Sequence, residues 1–168
     1  MRRPFVFALL ALGLLLGVSG LAAASDANGN HATYIWVVGA TTPSDTAIAP
    51  DGSTITMSGS GTLTAGPGNT ASGGGNYSLS SGGSGTWSVT GVQGFVSYGS
   101  AGPDFPPGFT GGEAKLNVTL SNGSSGVLTI ICVLGSPPPS KEEGITVILG
   151  TGGAFTKQDG GNTVFILP

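Results

Sequence analysis

The sequence predicts an all-β fold, a single-domain antiparallel β-sandwich or small β-barrel of about eight to ten short strands. Two observations carry that prediction. A phrase of glycine, polar, large apolar, hydroxyl and apolar residues occurs three times, as Gly61-Thr62-Leu63-Thr64-Ala65, Gly75-Asn76-Tyr77-Ser78-Leu79 and Gly85-Thr86-Trp87-Ser88-Val89. Side chains alternate faces along a strand, so each copy describes a half-buried strand with hydroxyls on one side and apolar groups on the other. The second observation is that similar short runs, bounded by Gly, Pro, Asn and Asp, recur along the chain while no helical period appears after residue 24.

The opening residues differ in kind. Arg2 and Arg3, the uncharged apolar run Phe5 to Leu21 and the small residues Ala22-Ala23-Ala24 form the pattern of a signal peptide over residues 1–24, cleaved before Ser25. A retained membrane anchor fits less well, because no charged stop follows the alanines. Arg2-Arg3 also resembles a twin-arginine export signal, although the polar residue usual before the arginines is missing. The expected product is secreted or held at the cell surface, with no stable membrane insertion after cleavage. Residues 25–32 are expected to be a flexible lead-in and residues 33–168 the domain.

From Ser25 onward there are three lysines, no arginine and eight carboxylates, a net charge of −5. Such a chain has no basic footprint for phosphate, which excludes nucleic acid and anionic membrane surfaces as expected partners. Cys132 is the only cysteine, so no internal disulfide forms. It lies in an apolar run and is expected to be buried.

The elements follow in chain order. Thr33 to Val38 is β-branched and aromatic and reads as the first strand; Thr42-Pro43 and Ala49-Pro50-Asp51-Gly52 are turn chemistry. From Thr54 to Ala65 alternation is unbroken, with Thr54, Thr56, Ser58, Ser60, Thr62 and Thr64 facing water and Ile55, Met57, Gly59, Gly61, Leu63 and Ala65 facing the core. Glycines on the core side let the strand coil, or let a bulky side chain such as Trp87 lie against the backbone. The second and third copies of the phrase follow through short Gly-Ser connections. A change of apolar parity between Val89 and Val92 places a bulge at Gly91.

Gly99 to Gly112 reads as a long loop containing Asp104, Phe105 and Phe109. Ala114, Leu116, Val118 and Leu120 then alternate with Lys115, Asn117 and Thr119, and Asn122-Gly123 reverses the chain into Val127 to Leu134, the most buried strand expected. After Pro137-Pro138-Pro139 come Ile145 to Leu149, then Ala154 to Thr156 and Val164 to Leu167, the last two read as a hairpin through Asp159-Gly160-Gly161-Asn162. An outer-membrane barrel is disfavoured by the Pro-rich loops and by too few aromatics for two girdles. The glycine-punctuated strands resemble small eight-stranded barrels of the dirigent and allene-oxide-cyclase kind, or of a calycin-like kind. That resemblance implies an apolar ligand inside, and no residue is carried over from it.

Catalytic chemistry is poorly supplied. The single histidine, His31, lies in the lead-in, so a Ser-His-Asp triad or histidine metal site is not expected, and no metal or cofactor is expected at all. Glu142 and Glu143 read as solvated turn residues. Asp104 and Glu113 are the carboxylates an acid/base enzyme would use, which is the alternative from another class. The leading expectation is a non-catalytic exported domain that contacts polysaccharide or another cell-surface component. Its candidate ligand-binding residues are Phe105, Phe109, Asp104, Trp87, Thr54, Thr56, Thr62 and Thr64. For aromatics within strands, core packing is the first reading. The Thr/Ser face reads as an exposed strand face, as a polysaccharide-facing surface or as an ice-binding array. Asn76, Asn117 and Asn122 are glycosylation sequons if the host is a eukaryote.

Overall fold

A computed structural model of the chain describes residues 31–42, 44–151 and 153–168. The signal peptide expected at 1–24 and residues 25–30 of the lead-in expected at 25–32 lie outside these residues, and Ala32 belongs to the first strand rather than to a lead-in. The described chain is all-β, with eleven strands in one antiparallel sheet and no helix. The strands are β1 Ala32–Val38, β2 Asp45–Ile48, β3 Thr54–Ala65, β4 Thr70–Leu79, β5 Ser84–Ser100, β6 Phe109–Leu120, β7 Ser125–Cys132, β8 Gly144–Leu149, β9 Ala154–Phe155, β10 Lys157–Gln158 and β11 Thr163–Ile166.

The pairings return on themselves. β1 pairs with β3, β3 with β4, β4 with β5, β5 with β6, β6 with β11, and β11 with β1. β7, β8 and β9 extend from β6, while β2 and β10 extend from the lower edge of β3. The run Ala154–Gln158 pairs first with β8, at Val147 and Ile148, and then with β2, at Ile48 and Ala47. It therefore ties the two extensions together.

The parity read from β3 is the parity observed: Ile55, Met57 and Leu63 have no exposed surface, while Thr62 faces water. β6 behaves likewise, with Ala114, Leu116, Val118 and Leu120 buried. These side chains join Trp36, Trp87, Leu128, Ile130, Cys132, Ile145, Val147 and Phe165 in one core. Trp36 and Trp87 stack across it with ring centroids 5.7 Å apart at 26°. The glycines of β3 and β4 admit Trp36 rather than Trp87, since a Cβ at Gly61 would stand 2.5 Å from Trp36 Cζ2 and one at Gly73 2.8 Å. Residues 59–61 of β3 pair with 73–75 of β4, a patch of backbone thin enough for an indole to lie against it.

Four expectations are corrected. Asp45–Ile48 is a strand that the sequence does not announce, because it places a charged residue at an inward position. The long loop shrinks to residues 101–108, since β5 runs on to Ser100 and β6 begins at Phe109, which pairs with Ile166. Phe109 is thus a strand residue. The final hairpin is absent: β11 pairs with β1 and β6, and β9 and β10 pair elsewhere. Glu143 is not a solvated turn residue, because its carboxylate accepts hydrogen bonds from Val133 N and Thr163 N; Glu142 is exposed. The bulge at Gly91 is present, and further register shifts follow between Val92 and Gly94 and between Ser97 and Gly99.

Candidate functional site

The outer face of β3, β4 and β5, bordered by β1 and β2, is built almost wholly from hydroxyls and amides. Register aligns them in rows across the strands. Thr46, Thr56, Ser78 and Ser84 form one, Ser58, Asn76 and Thr86 the next, and Thr33, Thr64 and Thr70 another at the far end of β3. Neighbouring side chains on a sheet face lie close enough to bond directly. Thr46 and Thr56 oxygens are 3.1 Å apart, Thr62 and Ser72 2.9 Å, and Thr33 and Thr64 3.0 Å. Each pair uses one proton and leaves lone pairs and a second proton for a ligand.

No charged residue occurs anywhere between Asp51 and Asp104, the stretch that contains β3, β4 and β5. A shallow depression of about 230 Å³ lies on this face, lined by Ser44, Thr56, Met57, Ser58, Asn76, Tyr77 and Ser78.

The two indoles secure that face from below. Trp87 Nε1 donates to the carbonyls of Ser58 at 3.1 Å and Asn76 at 3.2 Å, and Trp36 Nε1 to that of Thr62 at 3.3 Å. Trp87 is buried. It therefore acts on the face by fixing β3 against β4.

Of the sequence candidates, the four threonines of β3 are gathered on this face, and the others are not. Thr54, Thr56, Thr62 and Thr64 share the outer side of β3, with Thr54 N donating to Ser80 Oγ at 2.8 Å. Phe109 is separated from Thr62 by β11 and β1, and it is half-buried. Phe105 is half-buried in the 101–108 loop and Asp104 is exposed there. Glu113 is bound elsewhere, to Lys141 Nζ, to Lys115 Nζ at 3.7 Å and to the Tyr98 hydroxyl at 3.1 Å. Burial pushes its pKa up, but those partners outweigh burial and hold the carboxyl below the usual range. Burial, with Glu113 beside it, pushes the Tyr98 phenol up to about 12. Such a carboxylate is a structural anion rather than a proton donor. Of the sequon asparagines, Asn76 and Asn122 are exposed, and Asn117 accepts from Gln93 Nε2 at 2.9 Å. Among the described residues, no group of three or more His, Cys, Asp or Glu is placed to hold a metal.

Sequence reasoning missed Ser44 and Thr46, which enter with β2, and left Asn76, Ser78 and Thr86 as mere neighbours of the Thr-x-Thr pairs. Their signal was the outward parity of the second and third copies of the repeated phrase.

A second polar centre lies beside the first. Asp45, with no exposed surface, accepts from Asn162 N at 2.7 Å through Oδ1, while Oδ2 has no hydrogen-bond partner among the described residues. Burial pushes this acid up to about 6, with Glu143 adding to the shift and the amide bonds of Asn162 and Gly39 opposing it. Glu143 Oε1 accepts from Thr163 N at 2.8 Å and lies 2.6 Å from Thr163 Oγ1, which is also 2.7 Å from the Ile131 carbonyl. One hydroxyl proton serves those two acceptors. No family model, curated protein or solved structure matches the chain.

Proposed function

We propose that the chain is an exported, non-catalytic recognition domain that lays the outer face of β3, β4 and β5 against a neutral polysaccharide of the cell surface or extracellular matrix. The observation that carries this reading is the charge-free hydroxyl face itself. Sugar hydroxyls both donate and accept, and so do Thr, Ser and Asn side chains. A face without ions also avoids the desolvation penalty that burying a charge against a neutral polymer would impose. The expected export signal is consistent with it.

The test is co-sedimentation of the chain from Ser25 onward with insoluble polysaccharides and cell-wall preparations, followed by the tryptophan fluorescence left in solution. Retention on at least one neutral polymer is expected, and high salt should change it little, because screening acts on charges. Replacing Asn76, Ser78 and Thr86 together by alanine should weaken retention about a hundredfold, at roughly 1 kcal/mol per lost hydrogen bond. Absence of retention on every polymer, or retention abolished by salt, would sink the proposal.

A further inference from the structure

Asn162 is a junction of three chain segments. Its N–H donates to Asp45 Oδ1, and its carbonyl accepts from Gly39 N at 3.1 Å and Ala40 N at 2.7 Å. Asp159 N donates to the Thr46 carbonyl at 3.0 Å, so the approach to Asn162 is tied to β2 as well. A Cβ at Gly161 would stand 2.5 Å from Asp45 Cγ, which shows how closely the chain closes over the carboxyl. Ser44, the residue before Asp45, is part of the wall of the hydroxyl depression.

We infer that Asp45 and Asn162 form a proton-operated latch at the edge of the hydroxyl face, closed around Ser44 when Asp45 is protonated and loosened when it is ionised. The binding consequence rests on the proposed function; the latch itself does not. Its physical basis is a carboxylate that is fully enclosed, carries one oxygen without a hydrogen-bond donor and faces a second acid. Ionised, that oxygen is an uncompensated charge away from water. Opening the junction hydrates it, so ionisation favours the open form. Of the charged and titratable groups around it, Glu143 is the one whose charge acts on Asp45. Glu143, on the segment entering β8, raises the cost of a second negative charge, and Cys132, at the end of β7, neighbours Glu143 with its thiol pushed up to about 11 by burial first and Glu143 second. Lys157 on β10 and Asp159 just after it are exposed.

The experiment is amide hydrogen exchange, corrected for intrinsic rates, at Gly39, Ala40 and Asn162 in the chain from Ser25 onward at about pH 5 and about pH 7.5. With an acid near 6 when enclosed and near 3.8 when open, the opening constant should rise about tenfold between those pH values. Asp45→Asn should abolish that rise. Should that variant fail to fold, the wild-type carboxyl carbon of Asp45 is followed by NMR, and a midpoint near 6 is expected. Protection unchanged with pH, the same rise in Asp45→Asn, or a midpoint at the ordinary aspartate value would overturn the latch. Polymer retention measured alongside should weaken over the same pH range. If nothing is retained at either pH, the polysaccharide reading fails while the exchange result still decides the latch.

Discussion

At the scale of single residues, the sharpest consequence concerns pH. The folded pKa of Asp45 lies above its unfolded value, so between about pH 4 and 6 the folded state holds more protons and stability falls as pH rises. A shift of this size corresponds to about 3 kcal/mol, present in full at about pH 3 and lost by about pH 7. Other acids act in the opposite sense. Glu113, held low by Lys141, contributes stability at neutral pH that is lost as pH falls through the carboxylate range. The difference between wild type and Asp45→Asn isolates the one group: denaturant midpoints of the two should converge in acid, with the variant the more stable at neutral pH. A variant less stable by the same amount at both pH values would count against this account. Cys132 gives a second residue-scale test. It is enclosed and its thiol is raised to about 11, so an aromatic disulfide reagent should label it only when the domain unfolds. The labelling rate should then track denaturant unfolding, and immediate labelling of the native protein would contradict its burial. Cys132 was legible in the sequence because apolar residues surround it. Asp45 was not, because an inward carboxylate is recognisable only once Asn162, 117 positions away, is seen to bind it.

At the scale of elements, the hydroxyl face depends on how closely β3 and β4 approach Trp36. Gly61 pairs with Gly73, and either would place a Cβ within 2.8 Å of the indole. Gly61→Ala should therefore destabilise the domain by about 1–3 kcal/mol or more, the range for overpacking a filled core. The same change should disturb polymer retention, because the displaced indole no longer supports the Thr62 carbonyl. Fluorescence and a urea melt would detect the shift, and an unperturbed melt would contradict the packing described. The alternation in β3 and β6 was readable because each has one wet and one dry face, the condition under which a period of two survives. β2, β9 and β10 were not readable. They are two to four residues long, too short for any period, and their pairing is dictated by strands far away in sequence. β5 was cut short in the sequence reading for a different reason. The strand pattern is legible past the bulge to Tyr98, two residues before β5 ends, and breaks off at Gly99 because Gly99 and the Gly/Pro residues after it carry loop chemistry.

At the scale of the whole molecule, the fold depends on its last strand. β11 joins β1 to β6, supplies the fully buried Phe165 against Phe95 at 5.1 Å, and presents Thr163 to Glu143 and to the Ile131 carbonyl. Those contacts link a β1 edge formed early in the chain to strands formed in its second half, so the circuit of pairs cannot close until the end of the sequence is in place. Removing residues 163–168 opens the ring. It also leaves Trp36 without its cross-strand partner Phe165 and Glu143 without two of its donors. The truncated chain is expected to lose its cooperative unfolding transition and to bind an apolar dye. Removing only Leu167 and Pro168, which are exposed and lie beyond the last ladder pair, loses one backbone bond from Leu167 N to the Gly108 carbonyl and should cost little. Circular dichroism melts and dye fluorescence on the two truncations separate the cases. A sharp melt from the longer deletion would mean that the β3–β9 strands close without β11. That outcome would move the organising contact of the fold from β11 to the Ala154–Gln158 run, which pairs with both β8 and β2.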